Sequence, residues 1–291
     1  MPDSPTPVAS ATAGFSSGLS VADFAACLDM GLEPVGLVQG FCAMQSASYA
    51  LAGAQRNLSP FAGQGGYVET YQCPHGMVAG EHRMWGQNYE QLWIEQSWRQ
   101  GFSSALSRML DEAVAHGAHG VVGVVDTQSA LAGAGIIEFH VRGTAVRVNG
   151  VGAPSDAPWT TYLAGQRLAK AFEAGFAPVS VVATIASVRV WAYCITEYLM
   201  GGGGIGGWSN NAGATEIDQL VRANSQVREL VRASARAELH GDGLHGVDVR
   251  IVEHEHERGD VEIQALLRGN RLRRVGDFQA LRTPDPTVRL S

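Results

Sequence analysis

Nowhere in this sequence do about 18 apolar residues run together without a charge, the length a helix needs to cross a bilayer. The longest candidate, "FAPVSVVATIASV" (176–188), stops at Arg189 and reads as strand. Residues 1–18 have neither a basic stretch nor an apolar core, which argues against a secretory signal and for a flexible tail. Cysteine is scarce. Cys27, Cys42, Cys73 and Cys194 are scattered without Cys-x-x-Cys spacing, the pattern of reduced thiols in a cytoplasmic protein. Basic charge is in the minority: 21 Lys and Arg stand against 28 Asp and Glu, so no nucleic-acid partner is expected. Arg222, Arg228, Arg232 and Arg236 share a segment, but with Glu216, Asp218, Glu229 and Glu238 between them it reads as a solvated helix face.

Signatures of chemistry are also missing. No nucleophile–base pairing is recognisable, so an enzyme is not expected. "MGGGGIGGW" (200–208) lacks the Gly-Lys-Ser/Thr of a phosphate cradle and reads as a loop leading to a helix near Thr215.

What is present is a repeat. With 291 residues and 45% apolar content, the chain is long enough for two ordinary domains. "MGLEPVGLV" (30–38) aligns with "AGFAPVSVV" (174–182) at a shift of 175 − 31 = 144. "LSRMLDEAVAHG" (106–117) aligns with "LVRASARAELHG" (230–241) at 124, and His119 to Gly143 align with His245 to Gly269 at 126. These shifts imply 20 extra residues before the long helix of the first copy and two in "GDGL" of the second. Each copy reads as a short amphipathic helix, a glycine cap (Gly31, Gly175), a strand, a long helix and two strands. Trp98, Phe102, Leu106, Leu110 and Ala113 form the helix stripe of copy one; Ile217, Leu220, Val227 and Val231 form that of copy two. In the last strands Ile137, Phe139 and Val141 alternate with Glu138, His140 and Arg142, a phase kept by Ile263, Ala265 and Leu267. "ERGD" (257–260) reads as the second hairpin turn. The expected organisation is a tail (1–18), unit 1 (19–148), a Gly/Pro/Ser linker (149–158), unit 2 (159–276) and a C-terminal tail (277–291).

The doubled histidines have a structural reading. His116-Gly117 and His240-Gly241 end long helices, where glycine supplies the left-handed cap and histidine suits the negative end of the dipole. His119 and His245 open the following strands and are the candidate binding residues. Two further groups have metal-ligand spacing: Cys73, His75 and His82 in the surplus loop of copy one, and His254 and His256 on one face of a strand. Plain turn chemistry is the favoured reading of the first group, and a solvated, charge-alternating hairpin arm that of the second. No cofactor is expected, with a divalent metal as the alternative.

"EAVAHGAHGVVGVVDTQ" followed by "EFHVRGTAV" resembles the YbjQ-like family of small proteins labelled heavy-metal-binding. Val121, Val122, Gly123 and Val124 match its strand, and Glu138, Gly143, Thr144, Ala145 and Val146 match its ending. "GLEPVGLVQG" (31–40) is similar to its first strand. His119 stands for the usual Asn and Arg142 for the usual Tyr. The resemblance covers residues 30–148, and reaches 174–275 only through the internal repeat. It implies an α+β fold of two tandem dodecin-like β-α-β-β units, each a small antiparallel sheet packed on a long helix. It also implies a homo-oligomer, a ring of about five chains. Physics supports partners, because a three-stranded sheet with one helix leaves a face and two edges open. The apolar surplus of Trp93, Trp98 and Phe102 on the first long helix is expected to lie at a subunit interface. The expected function is thus a non-enzymatic oligomeric structural or binding module, with divalent-cation binding as the alternative and a separate protein partner left open.

Overall fold

A computed structural model describes residues 16–45, 66–72, 78–84, 88–131, 136–152, 154, 156–190, 218–255 and 261–276. These form helices α1 (Val21–Asp29), α2 (Leu92–Ala115), α3 (Gly165–Glu173) and α4 (Asp218–Ala237). The strands are β1 (Leu32–Gln45), β2 (Gly66–Gln72), β3 (Val78–Met84), β4 (Asn88–Glu90), β5 (Gly120–Leu131), β6 (Ile136–Val148), β7 (Trp159–Thr160), β8 (Phe176–Val190), β9 (Gly243–Glu255) and β10 (Val261–Arg274). The fold is α+β. One sheet has the order β1-β6-β5-β7, a second β4-β8-β10-β9, and β2 pairs with β3 in a hairpin.

The sequence dictates much of this locally. Ser20 caps α1, its hydroxyl accepting from the Asp23 amide at 3.1 Å. Gly31 (φ 73°) and Gly175 (φ 78°) take the left-handed conformation that ends α1 and α3. The elements α1-β1 and α3-β8 begin 144 residues apart, and in both pairs the strand bulges just after its proline, at Pro34 and Pro178.

The rest of the repeat follows a different register from the one the histidines suggest. The long helices end at Ala115 and Ala237, a shift of 122, and their buried faces agree: Ala105, Met109 and Ala113 match Val227, Val231 and Ala235. The next strands open at Gly120 and Gly243, a shift of 123, and each bulges at a positive-φ glycine, Gly123 (59°) and Gly246 (61°). Only on the last strands does the shift of 126 hold, where Gly143 and Gly269 face those bulges. The surplus before α2 is therefore 144 − 122 = 22 residues, and the second copy gains its extra residues chiefly in its hairpin, not in "GDGL". The two His-Gly pairs therefore do not occupy equivalent positions; the buried helix faces set the register.

The layers run sheet, helix, sheet, helix. One face of α2 packs on β1 and β6 around Val38, Phe139 and Val141; its other side meets Val181, Ala183 and Ile185 of β8. The opposite face of β8, with Val182, Ala186 and Val188, packs on α4. Strand β8 is buried on both faces from Val181 to Val190, which is why its sequence is apolar without alternation. Trp98 stacks on Phe102 at 5.2 Å between ring centres, meets Phe139 edge-on, and donates its Nε1–H to Gln128 Oε1 at 2.7 Å. The apolar surplus at Trp98 and Phe102 is therefore buried inside the chain, with Trp98 against Phe139 of β6 and Gln128 of β5, and not exposed for another subunit. The side chain of Trp93 lies outside the description.

Candidate functional site

Among the described residues, a dense set of polar contacts joins the two halves. After the linker, β7 lies parallel to β5, pairing Trp159 with Gly120 and Thr160 with Val121. The backbone continues the contact: Thr161 N–H donates to Val121 O at 3.0 Å, Val124 N–H to Thr161 O at 2.9 Å and Gly123 N–H to Leu163 O at 3.0 Å. The segment 159–163 thus covers the free edge of the first sheet. Gly120 is required there, because a Cβ would stand 2.2 Å from the Trp159 ring.

The same segment is tied to the second sheet. Asn270 Oδ1 accepts from the Thr161 hydroxyl at 2.8 Å and from the Tyr162 amide at 2.7 Å, and its Nδ2 donates to His245 O at 3.3 Å. The Thr160 hydroxyl accepts from the Val181 amide at 2.9 Å. Arg268 adds an ion pair to the buried Asp126 carboxylate at 2.6 Å, linking β10 to β5. Burial, and then the Asp126 charge, push the Tyr162 hydroxyl above its ordinary pKa. Alongside, α1 and α3 touch so closely that a Cβ on Gly165 would lie 2.0 Å from Asp23 O, and Asp23 Oδ1 accepts from the Gln166 amide at 3.1 Å. Cys27 and Leu168 are buried between these helices. Burial first and Asp23 second raise the Cys27 thiol to about 11.

The N-terminal segment repeats this pattern on the first sheet. Thr144 Oγ1 accepts from the Gly18 amide at 3.1 Å and lies 3.2 Å from Ser17 Oγ, while the Ser17 hydroxyl accepts from the Leu19 amide. Thr144 and Asn270 hold matching positions, and so do Ser17-Gly18-Leu19 and Thr161-Tyr162-Leu163, 144 residues on. The GxxG pairs Gly120/Gly123 and Gly243/Gly246 are the sequence signal that reveals this register.

The predicted site residues do not gather. His119 sits at the entrance of β5, where its Nδ1 accepts from the Val148 amide at 3.1 Å. Its Nε2 therefore carries the proton and donates to Gly152 O at 2.8 Å. His245 lies three residues into β9, its ring 5.0 Å from that of Phe176. It corresponds to Val122 rather than to His119. His116 is the C-cap of α2, and its carbonyl accepts from Arg147 at 2.6 Å. His82 is on β3, with its side chain outside the description, and His254 is exposed on β9 opposite Glu262. Cys73, His75 and His256, the glycine-rich run 200–208 and the turn 257–260 lie outside the described residues. Among the described residues, no three His, Cys, Asp or Glu side chains converge to hold a metal ion. No described helix is long and apolar enough to cross a membrane.

The chain matches no family model. It is 26% identical, over 275 residues, to the encapsulin nanocompartment protein Rv1762c of Mycobacterium tuberculosis, spanning 92% of this chain and 88% of that protein. This corrects the YbjQ-like assignment and the heavy-metal label that came with it, since the match to a nanocompartment protein runs nearly end to end.

Proposed function

We propose that this chain is a non-enzymatic building block of a self-assembling protein shell, a wall component of a nanocompartment. Its similarity to an encapsulin nanocompartment protein over 92% of its length carries this reading. We take the two halves as tandem dodecin-like β-α-β-β units, whose matching strand orders β1-β6-β5 and β8-β10-β9 support one module used twice. The two-sided burial of β8 and the interlocked segment 159–163 make the pair one rigid block, which is what a wall component needs. The block works in the cytoplasm and needs no cofactor to hold its shape. Negative-stain electron microscopy of the purified chain tests this. Closed particles of uniform diameter are expected, and fields containing only small compact molecules would refute the reading.

A further inference from the structure

Resting on that reading, we infer that copies of this chain join head to tail, with residues 16–19 of one copy adding as a strand to the β9 edge of the next. The junction inside the chain shows what such a contact looks like. In the first half, the edge of β5 is covered by 159–163, and Val124 is 3% exposed. In the second half, the matching edge of β9 has no strand beside it among the described residues, and Val247, the counterpart of Val124, is 49% exposed. The backbone is already shaped for addition, since Gly246 repeats the positive-φ bulge at which Gly123 receives Leu163. By register, the Gly246 and Val247 amides and the Leu244 carbonyl correspond to the groups of Gly123, Val124 and Val121 that bind the segment.

The matching donor lies at the other end. Phe15-Ser16-Ser17-Gly18-Leu19 stands 144 residues before Trp159-Thr160-Thr161-Tyr162-Leu163, aromatic for aromatic and hydroxyl for hydroxyl. Its anchor is in place, because Thr144 holds Ser17 and Gly18 as Asn270 holds Thr161 and Tyr162. A second surface agrees. Ile185 of β8 is 4% exposed beneath α2, whereas its counterpart Phe41 on β1 is 44% exposed. Phe41 borders a groove of about 930 Å³ lined by Gln39, Arg108, Glu112, His140 and Arg142. The repeat would set α4 of the preceding copy over this face. At the helix pair the junction must be wider, because Val21 stands where Gly165 allows its close approach. One end of the chain thus offers an arm and a face, the other an edge and a helix. Such a contact is heterologous and propagates until it closes.

The test uses the full chain, V247K and a chain lacking residues 2–19, each checked by circular dichroism for an unchanged fold. Sedimentation velocity should show wild type assembled and each variant as single chains of 30.8 kDa. Mixed in equal amounts, the variants should form a two-chain species, because the truncated chain supplies an intact edge and V247K an intact arm. Either variant assembling like wild type, or a mixture that stays single, overturns the inference while leaving the shell reading standing. A small wild-type ring released by V247K would uphold the inference and sink the shell. A wild-type chain that never assembles defeats both.

Discussion

Trp159 lies across Gly120 with no room between them, a Cβ at Gly120 falling 2.2 Å from the indole. The contact belongs to a parallel strand pair that fastens the second half of the chain to the edge of the first. Gly120→Ala must push the ring away, and overpacking of this kind costs about 1–3 kcal/mol. Gly152→Ala, at an open position with nothing within 4 Å, should change stability by less than about 0.5 kcal/mol. Urea unfolding of the two variants checks the difference.

The ion pair between Arg268 and Asp126 joins the halves from the other side of that segment. The Asp126 side chain is buried and that of Arg268 only partly exposed, so Asp126→Asn strands a cation in a region of low solvation. A loss of about 2–4 kcal/mol is expected, larger than for an exposed pair. Replacing both residues in a double-mutant cycle should recover part of it. Strict additivity of the two single losses would show that they do not interact.

Asp242 accepts hydrogen bonds from Arg273 and Arg271, which lower its pKa below the ordinary carboxylate value. A carboxyl depressed in the folded state stabilises it above the unfolded pKa, and that contribution vanishes as pH falls through the folded one. The loss should therefore appear below about pH 4. Asp242→Asn should lower the melting temperature more at pH 7 than at pH 2.5. A destabilisation of equal size at both values would contradict the assignment.

Cys27 is buried between α1 and α3 with its thiol raised to about 11 by burial and by Asp23. A raised pKa stabilises the fold below the unfolded thiol value near 9, and that contribution is lost as pH rises toward the folded value. At pH 8 the native thiol should resist iodoacetamide, as mass spectrometry of the labelled peptides would show, while the unfolded chain reacts readily. Rapid native labelling of Cys27 would mean that α1 opens away from α3.

The first quarter of each repeat was legible because its signals are local. Gly31, Gly175, Pro34 and Pro178 fix a cap and a bulge whatever packs around them. The alternation of Ile137, Phe139 and Val141 likewise follows from pleating alone. What could not be read depended on distant partners. Gln91 is anchored by the Ser187 hydroxyl at 2.8 Å, and β4 joins the second sheet although it precedes α2. The unbroken apolar run of β8 hinted at burial on both faces, but nothing local says that α2 is the cover. His119 and His245 share a His-Gly identity but not a register, which the positive-φ glycines Gly123 and Gly246 set.

Chelation offers a further check on Cys73, His75, His82, His254 and His256, whose spacing in the sequence is that of metal ligands. EDTA should leave both the melting temperature and the assembled mass unchanged. A fall in either on chelation, restored by zinc, would establish a metal requirement that the similarity to a nanocompartment protein gives no reason to expect.

The central claim is that the chain builds a closed shell, and mass photometry of the purified full-length protein over a hundredfold range of concentration tests it most directly. A single discrete mass that is a large multiple of 30.8 kDa and persists on dilution is the predicted result. A species of 30.8 kDa at every concentration would contradict it.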